Sequence, residues 1–403
     1  MKTMSINLTR LELLYKALMS QRGIHELGQT RPALKTAELI HRVTLPYRYP
    51  PMQEARRRFK TCTQKKPAKD MKWEIQVCWK YWHCYPLYYF RYNLYRNDIH
   101  ISDDDLIDYI PLFFFYYLFL PHYNKKEYEH IISDKHLTEE LFRTQNIPQP
   151  PTIAKYMRQQ FLTADLKHIS FSQILKDINE KQYQKIFVKP IKGRGGHGIY
   201  IFNRIESKGY ITNNNESFTE SFFRQHEALT DYIIQPGVEQ DPELSRIYSS
   251  SINTFRIMTE YKQGKVRVLQ PVFLRVGRSG LQVDNYDQNG LLLSVDRETG
   301  ELGTHAISAQ QEAFDIHPDT HFQFKGRRIS HWKDIREVAL ASARKIPQMG
   351  YIGWDIALTT EGPIVIEANP GTGLDGLQIH SGGLRKMFDI QDPQFYWENR
   401  GYR

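Results

Sequence analysis

Cysteine is scarce: Cys62, Cys78 and Cys84 are all the chain has in 403 residues. An odd, low count without a CxxC pair excludes a disulfide framework and suits the cytoplasm. A Cys/His metal site could draw on Cys78, His83 and Cys84, but ordinary thiols are the better reading. No run of 18 uncharged apolar residues occurs, which argues against a membrane-spanning helix. The first 30 residues contain Arg10, Glu12 and Lys16 and no apolar run, so no secretory signal is expected there. The phosphate loop GxxxxGK[ST] is missing, and so are the HRD and DFG tripeptides of protein kinases. No internal repeat is present.

What the chain does have is positive charge and aromatic surface, both concentrated early. Lys and Arg number 54 against 45 Asp and Glu, and residues 1–130 hold 21 bases and 13 acids. Arg56, Arg57, Arg58, Lys60, Lys65, Lys66, Lys69 and Lys72 place eight cations within 17 residues. A solvated face is the plain reading. The sharper one is a surface for an anionic partner: a phosphate-bearing substrate, lipid headgroups or nucleic acid. Residues 73–123 hold 18 aromatics. Their clustering suits a core better than a base-stacking surface, so no nucleic acid is expected. The apolar stretch Leu112–Leu120 lies between Pro111 and Pro121. As a helix it reaches about 14 Å, too short to cross a bilayer. Core packing is expected, with peripheral membrane or sugar contact as the alternative. Upstream, Leu11, Leu14 and Leu18 suggest an amphipathic helix.

From about residue 131 the pattern changes. Asp134-Lys135 opens a helical stretch that ends near Ile147-Pro148, because a residue before proline is pushed out of the helical region. Strand-like runs follow at Ile186–Pro190, Gly198–Phe202, Tyr232–Gln235, Thr254–Tyr261, Val266–Val276 and Ile364–Glu367. Lys333–Arg344 reads as a helix with Ser330 as its N-cap.

Two constellations carry chemistry. In the first, Lys189 ends a strand and a glycine-rich turn follows: Gly193, Arg194, Gly195, Gly196, His197 and Gly198. Glycines let backbone N–H groups approach a phosphate, and the lysine adds a point charge. The glycines match GxGxxG literally, but that dinucleotide fingerprint needs a helix next, and a β-like run follows instead. A glycine hairpin without a ligand is the plain alternative. In the second, Gly353-Trp354-Asp355 and Ile366-Glu367-Ala368-Asn369 flank the turn at Glu361-Gly362-Pro363. A hairpin would set Asp355 across from Glu367, with Asn369 on the same strand face as Glu367. Two carboxylates and an amide oxygen form a hard donor set suited to Mg2+. Ordinary hairpin acids are the alternative. Arg256 and Arg275 lie on separate β-like runs and could neutralise a transferred phosphoryl group. The strand through Gln235 runs into a turn with Val238 and Glu239, whose backbone could meet an adenine.

Taken in order, these parts resemble the ATP-grasp superfamily. Asp134-Lys135, Ser251–Arg256, Val283-Asp284-Asn285, His317–Thr320, Gly353-Trp354-Asp355 and Glu367-Ala368-Asn369 resemble its sugar-transfer-associated branch, over about residues 100–385. The resemblance implies an α+β fold in which two lobes clamp ATP, preceded by a mainly helical, aromatic N-terminal region. The expected division is 1–130, 131–235 and 236–403. The resemblance also implies Lys135 and Lys189 on phosphates, and Asp355, Glu367 and Asn369 on Mg2+. Arg256 and Arg275 would meet the reacting groups. Gln235 replaces the acid often found at the hinge, leaving Glu239 and Glu243 as candidates for the ribose. The implied reaction joins a carboxylate to an amine through an acyl phosphate, with small or sugar-linked substrates in polysaccharide or glycoconjugate synthesis. A sugar or alcohol kinase on the same lobes, and a nucleotide-binding assembly protein without catalysis, are the alternatives.

Overall fold

Helix signals dominate the first third of the chain and strand signals take over after Pro151. The computed structural model, which describes residues 31–193, 198–226 and 231–399, follows that change. The expected helix around Leu11–Leu18 lies outside the described residues. The described parts of 1–123 and 373–403 form one compact unit, and 124–372 form another.

The first unit is helical. Its principal helices are α1 (Arg31–Arg48), α2 (Pro50–Thr61) and α3 (Ala68–Trp82). Leu34, Ala37, Ile40, His41, Thr44 and Leu45 recur at helical spacing and form the buried face of α1. Pro50 sits in the first turn of α2, where its missing N–H costs nothing. The apolar stretch after Pro111 is helical and runs past Pro121. Leu112–Phe114 and Leu120–Tyr123 are α-helical, and a π-helical turn, Phe115–Phe119, joins them. Phe113, Phe114, Phe115, Leu118 and Phe119 are all buried. This is core packing, and among the described residues no helix is long and apolar enough to cross a membrane.

The expected division placed 373–403 with the second lobe; the structure groups it with the N-terminal helices. The physical reason is a set of buried and part-buried polar contacts. Arg91 Nε donates to Asp375 Oδ2 at 2.8 Å, Trp397 Nε1 to the Trp82 carbonyl at 3.0 Å, and Arg385 Nε to Asp108 Oδ1 at 2.9 Å.

The second unit holds two antiparallel sheets. The first comprises β1 (Ala154–Met157), β2 (Gln160–Leu162), β3 (Lys185–Pro190), β4 (Tyr200–Ile205), β5 (Gly209–Ile211) and β6 (Tyr232–Pro236). Their order is β2-β1-β6-β3-β4-β5. The second comprises β7 (Thr254–Lys262), β8 (Lys265–Val268), β9 (Val272–Val276), β10 (Leu291–Val295), β11 (Leu302–Ser308), β12 (Ala313–Phe314), β13 (Tyr351–Thr359) and β14 (Gly362–Asn369). Its order is β12-β11-β10-β9-β7-β13-β14, with β8 paired to β7. The expected single run Val266–Val276 is two strands, broken before Pro271, which has no N–H to give a ladder.

Helix α4 (Lys135–Thr144) is capped by Asp134, whose carboxylate accepts from the N–H groups of His136 and Leu137. Helix α5 (Trp332–Arg344) packs on β7, β8, β13 and β14. Its N-cap is His331, not Ser330 as expected, because the Ser330 N–H and hydroxyl are held by the Glu243 carboxylate. All nine residues of β13 are buried, as befits a strand covered on both faces.

Candidate functional site

The acidic constellation is a product of register. Arg256 on β7 pairs with Asp355 on β13, and Asp355 pairs with Glu367 on β14. Directly opposed residues share a sheet face, so the three side chains form a row across three strands. Asn369 follows two residues after Glu367 on the same strand. Glycine is required at Gly353: a Cβ there would lie 1.6 Å from Thr372 Oγ1. One strand further out, Arg275 on β9 lies opposite Thr254 on β7.

Charges here are tightly compensated. Arg256 binds Asp355 with both arms of its fork, Nε to Oδ1 at 2.5 Å and Nη2 to Oδ2 at 3.0 Å. Arg275 reaches Asp355 Oδ2 at 3.2 Å and Asp284 Oδ1 at 2.9 Å. Asn369 Nδ2 donates to Asp355 Oδ2 at 3.4 Å, which leaves its own carbonyl oxygen for another partner. Burial pushes the Asp355 pKa up, but Arg256 and Arg275 more than reverse this and hold it below the ordinary carboxylate value. Burial and the neighbouring Asp355 charge raise that of Glu367. Burial works against the charge on Arg275, yet Asp284 and Asp355 keep its pKa above the ordinary value.

Glu367 differs from Asp355 in one respect. Among the described residues its carboxylate has no hydrogen bond or ion pair at contact distance. A partly buried carboxylate beside another, with an amide carbonyl two residues on, is a donor set that fits a hard divalent cation. The Glu367 carboxylate and the Asn369 carbonyl oxygen therefore suit Mg2+ in chemistry, whereas the expected third donor, Asp355, already holds Arg256 and Arg275 and would have to share its oxygens with the metal. A second acidic group, His136, Glu139 and Glu140, is less suited. The fully buried Lys155 ammonium already sits 2.7 Å from Glu139 and 3.0 Å from Glu140.

The lysine constellation comes from the other sheet. Lys189 on β3 donates to Gln235 Oε1 on β6 at 2.9 Å. Burial and the nearby Lys135 lower its pKa to about 8. Lys135, in the first turn of α4, donates Nζ to the Gly193 carbonyl at 2.8 Å. Lys135, Lys189, Gln235 and Glu367 line one pocket, with Ile132, Phe142 and Ile233 as apolar walls. Thus the two constellations, about 180 residues apart in sequence, meet at one pocket.

Other expected residues fall elsewhere. Arg194, Gly195, Gly196 and His197 lie outside the described residues. Gly198 has φ +73°, a left-handed conformation that favours glycine. Val238 is half-buried and Glu239 is exposed after β6. The Glu243 carboxylate is taken up by Ser330. Asp284 holds Arg275 and accepts from the Thr254 N–H at 2.9 Å and from its hydroxyl. Sequence reasoning assigned Asp284 no role. Nothing in the spacing signals that Asp284, past a non-strand segment, folds back onto Arg275.

A family model described as sugar-transfer associated ATP-grasp matches residues 116–390. No curated protein matches the chain. Among solved structures, N5-carboxyaminoimidazole ribonucleotide synthetase from Thermotoga maritima is 16% identical, with TM-score 0.32. The match covers 60% of this chain and 42% of that one, so the chain spans less than half of that protein. D-alanine–D-alanine ligase from Bacillus anthracis is 14% identical, with 67% and 70% covered and TM-score 0.36. D-cycloserine synthetase is 13% identical, with 68% and 71% covered and TM-score 0.38.

Proposed function

The chain belongs to the sugar-transfer associated ATP-grasp family, and on that premise we propose that it is an ATP-dependent carboxylate–amine ligase. The observation that carries this reading is the pocket lined by Lys135, Lys189, Gln235 and Glu367, which brings two lysine cations and a carboxylate together. Lys135 and Lys189 would hold the phosphates of ATP. Asp355, Glu367 and the Asn369 carbonyl would hold Mg2+, which when bound neutralises phosphate charge. The Gln235–Glu239 turn would contact adenine and ribose.

In the first step a substrate carboxylate oxygen attacks the γ-phosphorus, and the bond to the β-phosphate oxygen breaks to release ADP. Two anions must approach, so cations placed between them lower the barrier. Arg256 and Arg275 are suited to that work because Asp355 and Asp284 have already fixed their orientation. In the second step an amine attacks the acyl carbon, expels phosphate and loses a proton to give the amide. The family's description, sugar-transfer associated, supports a sugar-linked carboxylate or amine in glycoconjugate synthesis.

An acyl phosphate is trapped by hydroxylamine as a hydroxamate. With an 18O-labelled carboxylate, one label should also pass to inorganic phosphate. A stable phosphate ester with no hydroxamate from any candidate acid would replace the ligase with a kinase.

A further inference from the structure

In the first unit, α1 and α2 border an open groove of about 540 Å³. That is the size of a ligand site. Its floor and walls are apolar: Val43, Met52, Phe59, Leu87 and Phe90. Two arginines, Arg42 and Arg56, also line it. Among the described residues neither has an acidic partner. They are held on aromatic faces instead. The Arg42 guanidinium lies 5.5 Å from the Trp79 ring and 5.3 Å from Tyr85, and that of Arg56 lies 4.2 Å from Tyr47. Stacking orients a guanidinium without using its N–H fork. Nearby acids are already engaged. Glu54 takes Arg57 and Arg58, and Glu38 accepts the Tyr85 N–H at 2.9 Å. Together α1 and α2 carry eight Lys and Arg against those two glutamates.

An apolar trough flanked by two oriented, acid-free guanidinium groups calls for an amphiphile with an anionic head. We propose that this groove binds a phosphate ester carried on a single long apolar chain. The phosphate would take the Arg42 and Arg56 forks, whose geometry matches its oxygens, and the chain would cover Val43, Met52, Phe59, Leu87 and Phe90. This site is separate from the proposed nucleotide pocket and does not depend on the ligase reading.

The test uses the full chain without nucleotide, so its outcome is independent of ligase activity. Titration calorimetry would compare dodecyl phosphate below its micelle concentration with neutral dodecyl maltoside and with inorganic phosphate. Dodecyl phosphate should bind at one site per chain, about tenfold or more tighter than either comparison molecule. The double variant Arg42→Gln, Arg56→Gln should bring it down to the level of the neutral amphiphile, with an unchanged circular dichroism spectrum. Equal affinity for the charged and neutral amphiphiles in the wild type would overturn the proposal, whether or not the variant folds. Affinity unchanged in the double variant would overturn it too. So would binding seen only on phosphatidylglycerol vesicles and never with the monomeric amphiphile, an outcome that assigns the surface to a membrane.

Discussion

The groove of the helical unit and the acidic row of the second unit handle positive charge in opposite ways. In the helical unit some surface cations rest on rings: Arg42 lies 5.3 Å from the Tyr85 ring, Arg56 4.2 Å from Tyr47 and Lys65 4.7 Å from Phe59. In the second unit the central cations rest on acids, with Arg256 and Arg275 converging on Asp355 and Arg275 reaching on to Asp284. The first arrangement leaves hydrogen-bond donors unspent at a surface. The second spends them inside a sheet, where low dielectric makes each pairing strong and each broken pair costly. A ring supports a charge without neutralising it. An acid neutralises it and makes the pair a single unit that must be kept or lost together.

The sharpest test of this contrast lies in the acidic row. Glu367→Gln should lower turnover by about a hundredfold or more, the scale seen when one preorganised charge contact at a reacting phosphate is lost. The same change should raise the melting temperature without nucleotide, because it removes a carboxylate that burial and then Asp355 disfavour. Activity and stability thus move in opposite directions, and a fall in both would show that Glu367 is structural.

Asp355→Asn should behave differently. It leaves the partly buried Arg256 and Arg275 without their shared counter-ion and should destabilise the protein by about 3–5 kcal/mol in urea unfolding. A loss below 1 kcal/mol would mean that the arginines find other partners. By the same logic Arg275→Ala is a poor probe of catalysis, since it takes the cation from Asp284 and one of two from Asp355. Arg275→Lys keeps the charge and loses the fork. It should lower turnover while leaving nucleotide affinity nearly intact.

In the helical unit the corresponding break is apolar. Phe114 is fully buried, and Phe114→Ala should cost about 3–5 kcal/mol. The surface pair there should matter least. Replacing Arg57, 70% exposed beside Glu54, by Ala should leave the urea midpoint unchanged within error.

Lys189 gives the comparison a pH signature. Burial lowers its pKa to about 8 from an ordinary 10.5, so between those values the unfolded chain binds more protons than the folded one. Stability without nucleotide should therefore rise with pH across that window. Nucleotide affinity should fall over the same range as the lysine loses its charge. Lys189→Met should remove both trends, which melting curves and nucleotide titrations from pH 7 to 10.5 would read.

Much of the second unit was legible from local pattern. The strand before the glycine turn, the α4 cap at Asp134 and the hairpin pairing Asp355 with Glu367 follow from period, punctuation and turn chemistry. Less legible were contacts set by distant partners. Ser330 has the right chemistry for a cap, yet Glu243, 87 residues earlier, holds its hydroxyl. Pro121 looked like a helix end, yet the helix passes it through a π-helical turn in an aromatic core. The return of 373–399 to the N-terminal helices depends on Arg91 finding Asp375, a pairing that no local pattern encodes.

By itself the sequence determined which residues could do chemistry, because residue type and spacing along one strand or turn are local properties. It determined the order of the parts and the hairpin that faces one acid to another. Only the tertiary structure decided that Arg275 answers to Asp284 as well as Asp355, and that Lys189 and Glu367 line one pocket. It also decided that Arg42 and Arg56 stand on rings beside an apolar groove. Each of these joins residues through strand order or helix packing, and strand order and packing are set by the whole buried surface rather than by any one segment.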